Sequence, residues 1–337
     1  MKKILSGLTP TPGFHCLYSS LYNLFRYMGW PYEEHELFFL CNGMDFQFMA
    51  SESIDMGEIT QNLLDLIHID YFKQIQTLAD RLKQPIFWID NRAEYSVNSI
   101  RTAVEETLQD GKPVLVFLHS SILTYHILEN PNENLGAHGL ILYGIDSDKG
   151  IVYLADSFVT DYSNHIDTHL STMQLTDFYN YLIGFVTFGP PLKNVPFSER
   201  LSLYVSDLQK YLQTTDVKDG GVAALVYILE EIQRANLDST EYISLVFLLK
   251  AYLMMTAPYF DRLMEQTQRY YDSRPFNRQD QYKELQNEWN VFFMRCLSVS
   301  GQPSAKNRLV KSGWEIARKY QKYLQDCLAY LICTTEK

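Results

Sequence analysis

The five cysteines of this 337-residue chain, Cys16, Cys41, Cys296, Cys327 and Cys333, are odd in number and contain no C-x-x-C pair. That spacing argues against a disulfide framework or a zinc site and for reduced thiols in a cytosolic protein. Basic residues are in deficit, with 29 Lys and Arg against 40 Asp and Glu and a net charge of −11. General nucleic-acid binding, which needs clustered positive charge, is disfavoured, as is attraction to an anionic membrane. Long apolar runs are missing too. The N-terminal Met-Lys-Lys-Ile-Leu-Ser-Gly-Leu breaks at Pro10 and Pro12, too short an apolar run for a signal peptide. No stretch approaches the roughly 18–20 apolar residues that cross a bilayer. Internal repeats and low-complexity tracts are also absent. The expectation is a cytoplasmic protein with no membrane or nucleic-acid partner.

What is present is apolar and rich in rings. Hydrophobic residues make up 46%, and there are 24 Tyr and 19 Phe. This length and composition favour two well-cored domains. Residues 1–14 read as an extended lead-in, because Thr-Pro-Thr-Pro-Gly cannot propagate a helix. Leu17, Leu21, Leu24, Phe25 and Met28 share one helical face, so a helix runs from Cys16 to near Gly29. Residues 33–41 predict a short helix, 46–49 a weak strand and 58–67 a helix. From 85 onward strands and helices mix. Strands are expected at 85–89, 114–118 and 183–188, with helices at 97–108 and 174–182. A hairpin is expected from 138–145 and 151–155 about the turn Asp146–Gly150. Residues 120–136 and the polar stretch around 161–169 read as loops. Beyond Gly189-Pro190-Pro191, segments 199–213, 221–236, 239–256, 258–272, 279–298 and 304–333 all carry helical periodicity. The fold class is therefore α+β, with residues 1–192 forming a mixed domain and 197–337 an all-helical one.

One constellation suits covalent chemistry. A glycine-marked loop delivers Cys16 to a helix start, where free N–H groups and the positive helix end favour a thiolate. A cysteine nucleophile needs a base, and the base needs an orienting group. Of the eight histidines, His138 opens a strong strand, and Asp156 ends the next strand of the same hairpin. One hairpin thus supplies base and orienter while the first helix supplies the thiol. His15 is secondary, since neighbours on a turn point apart, and His119, at a strand end, is a weaker base. His165 and His169 with Asp161 and Asp167 are the metal alternative, disfavoured because a loop fixes no ligand geometry. Cys41 and the three C-terminal cysteines read as structural.

Gly13-Phe-His15-Cys16, Asn23 to Gly29, Glu36-Leu-Phe38 and Gly43-Met-Asp-Phe46-Gln-Phe48 together resemble the N-terminal domain family of the butirosin biosynthesis protein BtrH. Ala137 to Asp146 and Ile151 to Asp156 resemble that domain's second half and the broader C39-like branch of papain-fold cysteine enzymes. The likeness spans roughly residues 10–190. It implies a papain-like fold with Cys16 as nucleophile, His138 as base and Asp156 as orienter. It also implies an acyltransferase that moves an aminoacyl group from the phosphopantetheine thioester of an acyl carrier protein to an amine, with no cofactor or metal of its own. The alternatives are a C39-like peptidase or amidase and a non-catalytic scaffold.

The chain departs from papain-like proteases in one respect. They place a glutamine before the cysteine as oxyanion donor, and here residues 9–13 are Thr-Pro-Thr-Pro-Gly. The Cys16 backbone N–H is one substitute, and Ser19, Ser20 and Asn23 are weaker ones. As for partners, Lys306, Arg308, Lys311, Arg318, Lys319 and Lys322 form a local basic stripe suited to steering an acidic carrier protein. A solvated helix face explains the stripe equally well. Oligomeric state stays open, a homodimer through the helical half included.

Overall fold

The structure is a computed structural model. It describes residues 2–44, 47–48, 67–68, 71–90, 96–125, 137–160, 165–192, 195–214, 221–234, 258–276, 279–298 and 303–335. The chain divides into two compact units. One holds residues 1–37 and 71–194, the other 38–70 and 195–337. The architecture is α+β with a helical C-terminal region, as the pattern predicts. Among the described residues no helix is long and apolar enough to cross a membrane.

The first unit is built on an antiparallel sheet. Its strands are β4 (Ile86–Asp90), β5 (Val114–His119), β6 (Ala137–Asp146), β7 (Ile151–Thr160), β8 (Ile166–Gln174) and β9 (Leu182–Phe188), in spatial order β4-β9-β5-β6-β7-β8. A seventh strand, β1 (Lys2–Ile4), pairs with β6 from Gly144 to Asp146, just beyond the point where β5 begins. The expected lead-in therefore starts with a strand. Three residues carry too little pattern to reveal a pairing partner so distant in sequence. A separate two-stranded ladder, in the second unit, joins β2 (Gln47–Phe48) to β3 (Ile67–His68). The helix expected at 58–67 lies mostly outside the described residues.

One core fills the space between the sheet and helices α4 (Val97–Gln109) and α5 (Leu175–Tyr181). Val114, Val116 and Leu118 alternate along β5, and Leu140, Leu142, Val152 and Leu154 continue the layer. They meet Ile100, Val104 and Leu108 of α4 and Phe178 of α5. Each such fully buried side chain contributes roughly 1.5–3 kcal/mol. Residues 166–169, read as loop, are corrected by β8 (Ile166–Gln174), which takes them in. The strand pairs with β7 from Ile151–Gln174 to Thr160–Ile166. Polar residues are tolerated there because β8 is an edge strand, so the apolar alternation that announces a strand is weak.

Helix α1 (Cys16–Tyr27) is more central than its apolar stripe suggests. Leu17, Leu21, Leu24 and Phe25 are buried as expected, but so are Tyr18, Ser19, Ser20 and Asn23. The polar ones are satisfied. Ser20 donates to the Gly139 carbonyl at 3.1 Å, and Ser19 donates to the His15 carbonyl. Asn23 donates to the Thr11 carbonyl (2.9 Å) and to Ser157 Oγ (3.0 Å), and accepts from the Thr11 N–H. Arg26 donates to the Thr9 carbonyl. The proline-broken segment before the helix is thus tied along α1 rather than left loose.

Gly13 completes this packing. Its N–H donates to the Ser157 carbonyl at 3.1 Å. A Cβ there would lie 2.4 Å from Ser19 Cβ and 2.5 Å from the Glu34 carboxylate, which itself accepts from the Phe14 N–H. Ser19 cannot yield, because it is part of the helix. Gly13→Ala is therefore expected to lower unfolding free energy by about 1–3 kcal/mol, read from chemical denaturation. A loss under ~0.5 kcal/mol, the range of neutral surface changes, would show that this approach is not tight.

In the second unit, α6 (Phe197–Gln213), α7 (Gly221–Arg234), the helical stretch 258–271, α9 (Gln279–Ser298) and α10 (Pro303–Thr335) match the expected segments closely. Residues 239–256 lie outside the described set. The core is aromatic. Phe38 stacks on Tyr259 with centroids 4.4 Å apart, and Phe39 packs against Tyr204 and Phe260. No disulfide joins the cysteines, and Cys41, Cys296 and Cys327 are buried, as a structural role predicts. Cys333 is exposed, against expectation, because it falls on the open side of α10. The basic stripe is partly compensated within the helices. Lys319 pairs with Glu288 of α9, and Lys322 with Asp326 at 3.0 Å. Arg308, Lys311 and Arg318 are exposed, and the Lys306 side chain lies outside the described set.

Candidate active site

Cys16 opens α1 behind His15, whose backbone is extended (φ −158°, ψ 137°). His15 caps the helix in an unusual way. Its ring Nδ1 accepts from the Leu17 N–H at 3.2 Å, so the ring proton sits on Nε2. The ring is buried, 4.8 Å from Tyr18, 6.0 Å from Tyr71 and 6.3 Å from Phe158 by centroids. Adjacent residues do point apart, but here the second one fills an aromatic pocket rather than facing solvent. Burial, then the neighbouring His138, pushes the His15 pKa down to about 3, so this ring stays neutral.

His138 Nε2 and Asp156 Oδ2 are 2.9 Å apart, and both side chains are buried. The last β6–β7 pair is Ile141–Ala155, so the two side chains meet diagonally past the end of the ladder rather than directly across. An irregularity in β7 between Asp156 and Val159 helps aim the carboxylate. Asp156 Oδ1 accepts from the Phe158 N–H at 2.9 Å. Oδ2 also accepts from the Tyr125 hydroxyl at 3.0 Å, a partner the sequence did not reveal because it lies in the irregular segment after β5. The Asp156 carboxylate is placed to accept from Nε2–H of the imidazole.

The hairpin meets the helix start through Gly139. A Cβ on Gly139 would stand 3.3 Å from the Cys16 carbonyl oxygen and 3.5 Å from Leu17 Cα. That closeness is what lets β6 run against the first turn of α1. Its N–H is directed at the Cys16 sulfur, which also feels the Asp156 charge. Tyr71, the first residue of α3 (Tyr71–Leu82), brings its hydroxyl to 3.8 Å from Sγ. Helix α3 was missed at the sequence level, although Ile75, Leu78, Ala79 and Leu82 give the i, i+3, i+4, i+7 spacing of an amphipathic helix.

The thiol differs from expectation. A helix start favours a thiolate, yet burial pushes the Cys16 thiol up to about 11, and the Asp156 charge adds to that. The Gly139 and Leu17 amides and the Tyr71 hydroxyl act the other way without reversing it. Desolvation wins because the sulfur is almost fully enclosed. At neutral pH the resting group is therefore a thiol, and a base must take its proton. The side chains offered as substitute oxyanion donors are committed elsewhere, with Ser19, Ser20 and Asn23 all bonded within the scaffold.

The remaining histidines take other places. His119 ends β5 with its ring edge-on to Tyr181 at 6.4 Å. His169, on β8, pairs in register with Asp156 and lies 4.2 Å from the Tyr125 ring. His165 precedes β8, and Asp161 lies outside the described residues. Among the described residues no group of three His, Cys, Asp or Glu side chains is placed to hold a metal.

Cys16, His138 and Asp156 all fall within the stretch that a family comparison picks out. No curated protein matches the chain. Residues 15–157 match the family model described as butirosin biosynthesis protein H, N-terminal, so this stretch of the chain is similar to the BtrH N-terminal domain.

Proposed function

We propose that the protein is a biosynthetic acyltransferase that moves an (amino)acyl group from the thioester of an acyl carrier protein, through a Cys16 thioester, to an amine acceptor. The observation that carries this reading is the buried His138–Asp156 pair at 2.9 Å, beside a helix-starting cysteine whose sulfur meets the Gly139 amide. The likeness of residues 15–157 to the BtrH N-terminal domain supports a role in the biosynthesis of a specialised metabolite. In this scheme His138 Nδ1 takes the Cys16 proton as the sulfur attacks the donor carbonyl. Asp156 stabilises the imidazolium through Nε2–H. The carrier thiol leaves with that proton, which frees His138 to accept a proton from the incoming amine. The cofactor is the partner's phosphopantetheine. The papain-like mechanism assigned to these three side chains belongs to the same proposal.

Enclosure of the sulfur suits transfer over hydrolysis, because an acyl group held there is shielded from water until an amine displaces it. A thioester donor is also already activated, so the site needs less oxyanion stabilisation than a peptidase does. Mixing the protein with an aminoacylated carrier protein should add one acyl mass to the wild type and none to Cys16→Ala, by intact-mass measurement. Addition of an amine should then discharge it as an amide. Peptide cleavage without carrier or amine would favour the C39-like peptidase instead, and no acyl adduct at all would favour a scaffold.

A further inference from the structure

The proposed chemistry leaves one requirement open. A tetrahedral adduct on Cys16 carries a full negative charge on oxygen, and the papain-type glutamine ahead of the cysteine is missing. The Cys16 N–H, in the first turn of α1, has no carbonyl within the helix to bond and gives one donor. We propose that the Tyr71 hydroxyl is the second oxyanion donor of this site, replacing the glutamine from a different helix. The inference rests on the acyl-transfer reading.

The surroundings of Tyr71 support it. The hydroxyl already touches the sulfur at 3.8 Å, and the oxygen of an acyl group on that sulfur is only two bonds away from it. The ring is held, stacked on Phe117 of β5 (5.2 Å, 15°) and edge-on to His15 (6.0 Å, 62°). One turn along α3, Gln74 accepts from the Tyr18 hydroxyl at 2.9 Å, which ties α3 to α1 beside the site. Gln74 Nε2 is buried with no bond to a described residue, which marks the space between these helices as polar. Burial and the adjacent Cys16 hold the phenol well above its ordinary range, so it stays a donor at any working pH.

The step balances without other groups. The Sγ–C bond forms as the carbonyl π pair moves to oxygen, and the Tyr71 O–H and Cys16 N–H hold that oxygen by hydrogen bonds. The pair then returns, the bond to the donor thiol breaks, and His138 gives that thiol its proton. Tyr71 keeps its own proton throughout.

The test is Tyr71→Phe in the full chain, which keeps both ring contacts and removes only the hydroxyl. Two rates are compared by intact mass: acylation of Cys16 by phenyl thioacetate and alkylation of Cys16 by iodoacetamide. Alkylation develops no oxyanion. The expected result is an acylation rate lower by about 10²–10³-fold, the usual loss of one oxyanion donor, with alkylation slowed far less, by the loss of one weak bond to the sulfur, and melting temperature unchanged. Equal losses in both rates would mean that Tyr71 acts on the thiol, and unchanged acylation would mean that it has no role; either overturns the assignment. A wild type acylated by phenyl thioacetate but not by an acylated carrier protein leaves Tyr71 in place and removes only the carrier reading. A wild type that alkylates but is never acylated overturns both.

Discussion

Replacing His138 by asparagine is expected to slow acyl transfer at pH 7 by about 10²–10⁴-fold, the usual contribution of a general base. The remaining rate should climb roughly tenfold per pH unit above that. The slope follows from the sulfur. Burial pushes the Cys16 thiol up to about 11, so without a base only the scarce thiolate reacts. Its population grows tenfold per unit until the pH reaches that value. In the proposed mechanism the wild-type imidazole removes the proton during attack, so the rate is not tied to the free thiolate and the same climb is absent. Asparagine keeps a polar group in reach of Asp156, which otherwise stays bonded to the Phe158 N–H and the Tyr125 hydroxyl. Cys16→Ala must lose transfer at every pH, which separates base from nucleophile. The measurement is single-turnover acylation from pH 7 to 10. A His138→Asn protein that matches wild type at pH 7 would place the base elsewhere.

The elements of this fold that the sequence showed clearly are those whose reason is local. β5 is a continuous apolar run, α1 an apolar stripe and Asp146–Gly150 a turn, and each formed nearly where the pattern put it. The features that escaped depend on partners far along the chain. β1 exists because β6 offers an edge beyond β5, and β8 because β7 extends five residues past the expected strand end to pair with it. The site divides in the same way. Of the candidate site, the helix start at Cys16 and the meeting of His138 with Asp156 were legible from residue type and element order. Tyr71 was not, because a tyrosine on a helix announces nothing until α3 is laid beside α1. Nor was the state of the thiol. Helix position is local and argues for a thiolate, whereas burial is a tertiary property and overrides it.

The same conflict between a cap and its surroundings makes His15 the acid-sensitive point of the unit. Its pKa falls from 6.5 to about 3 on folding, for burial first and the neighbouring His138 second. A group whose pKa is depressed on folding binds protons more readily in the unfolded chain. Stability is therefore untouched above pH 6.5 and falls as the pH drops from there toward 3. At about 1.4 kcal/mol per unit, the full loss is on the order of 4–5 kcal/mol. Geometry gives the same direction, since protonating Nδ1 would remove the acceptor that caps α1 at the Leu17 N–H and loosen the turn that carries Cys16. Asparagine is a good cap and does not titrate. His15→Asn should thus be less stable than wild type at pH 7, because it empties part of an aromatic pocket. Between pH 6.5 and 4 it should lose much less stability than wild type does. Urea denaturation of both proteins across that range reads the difference in slope. Parallel curves would mean that acid acts through the carboxylates alone, and that His15 accepts its proton in the folded state.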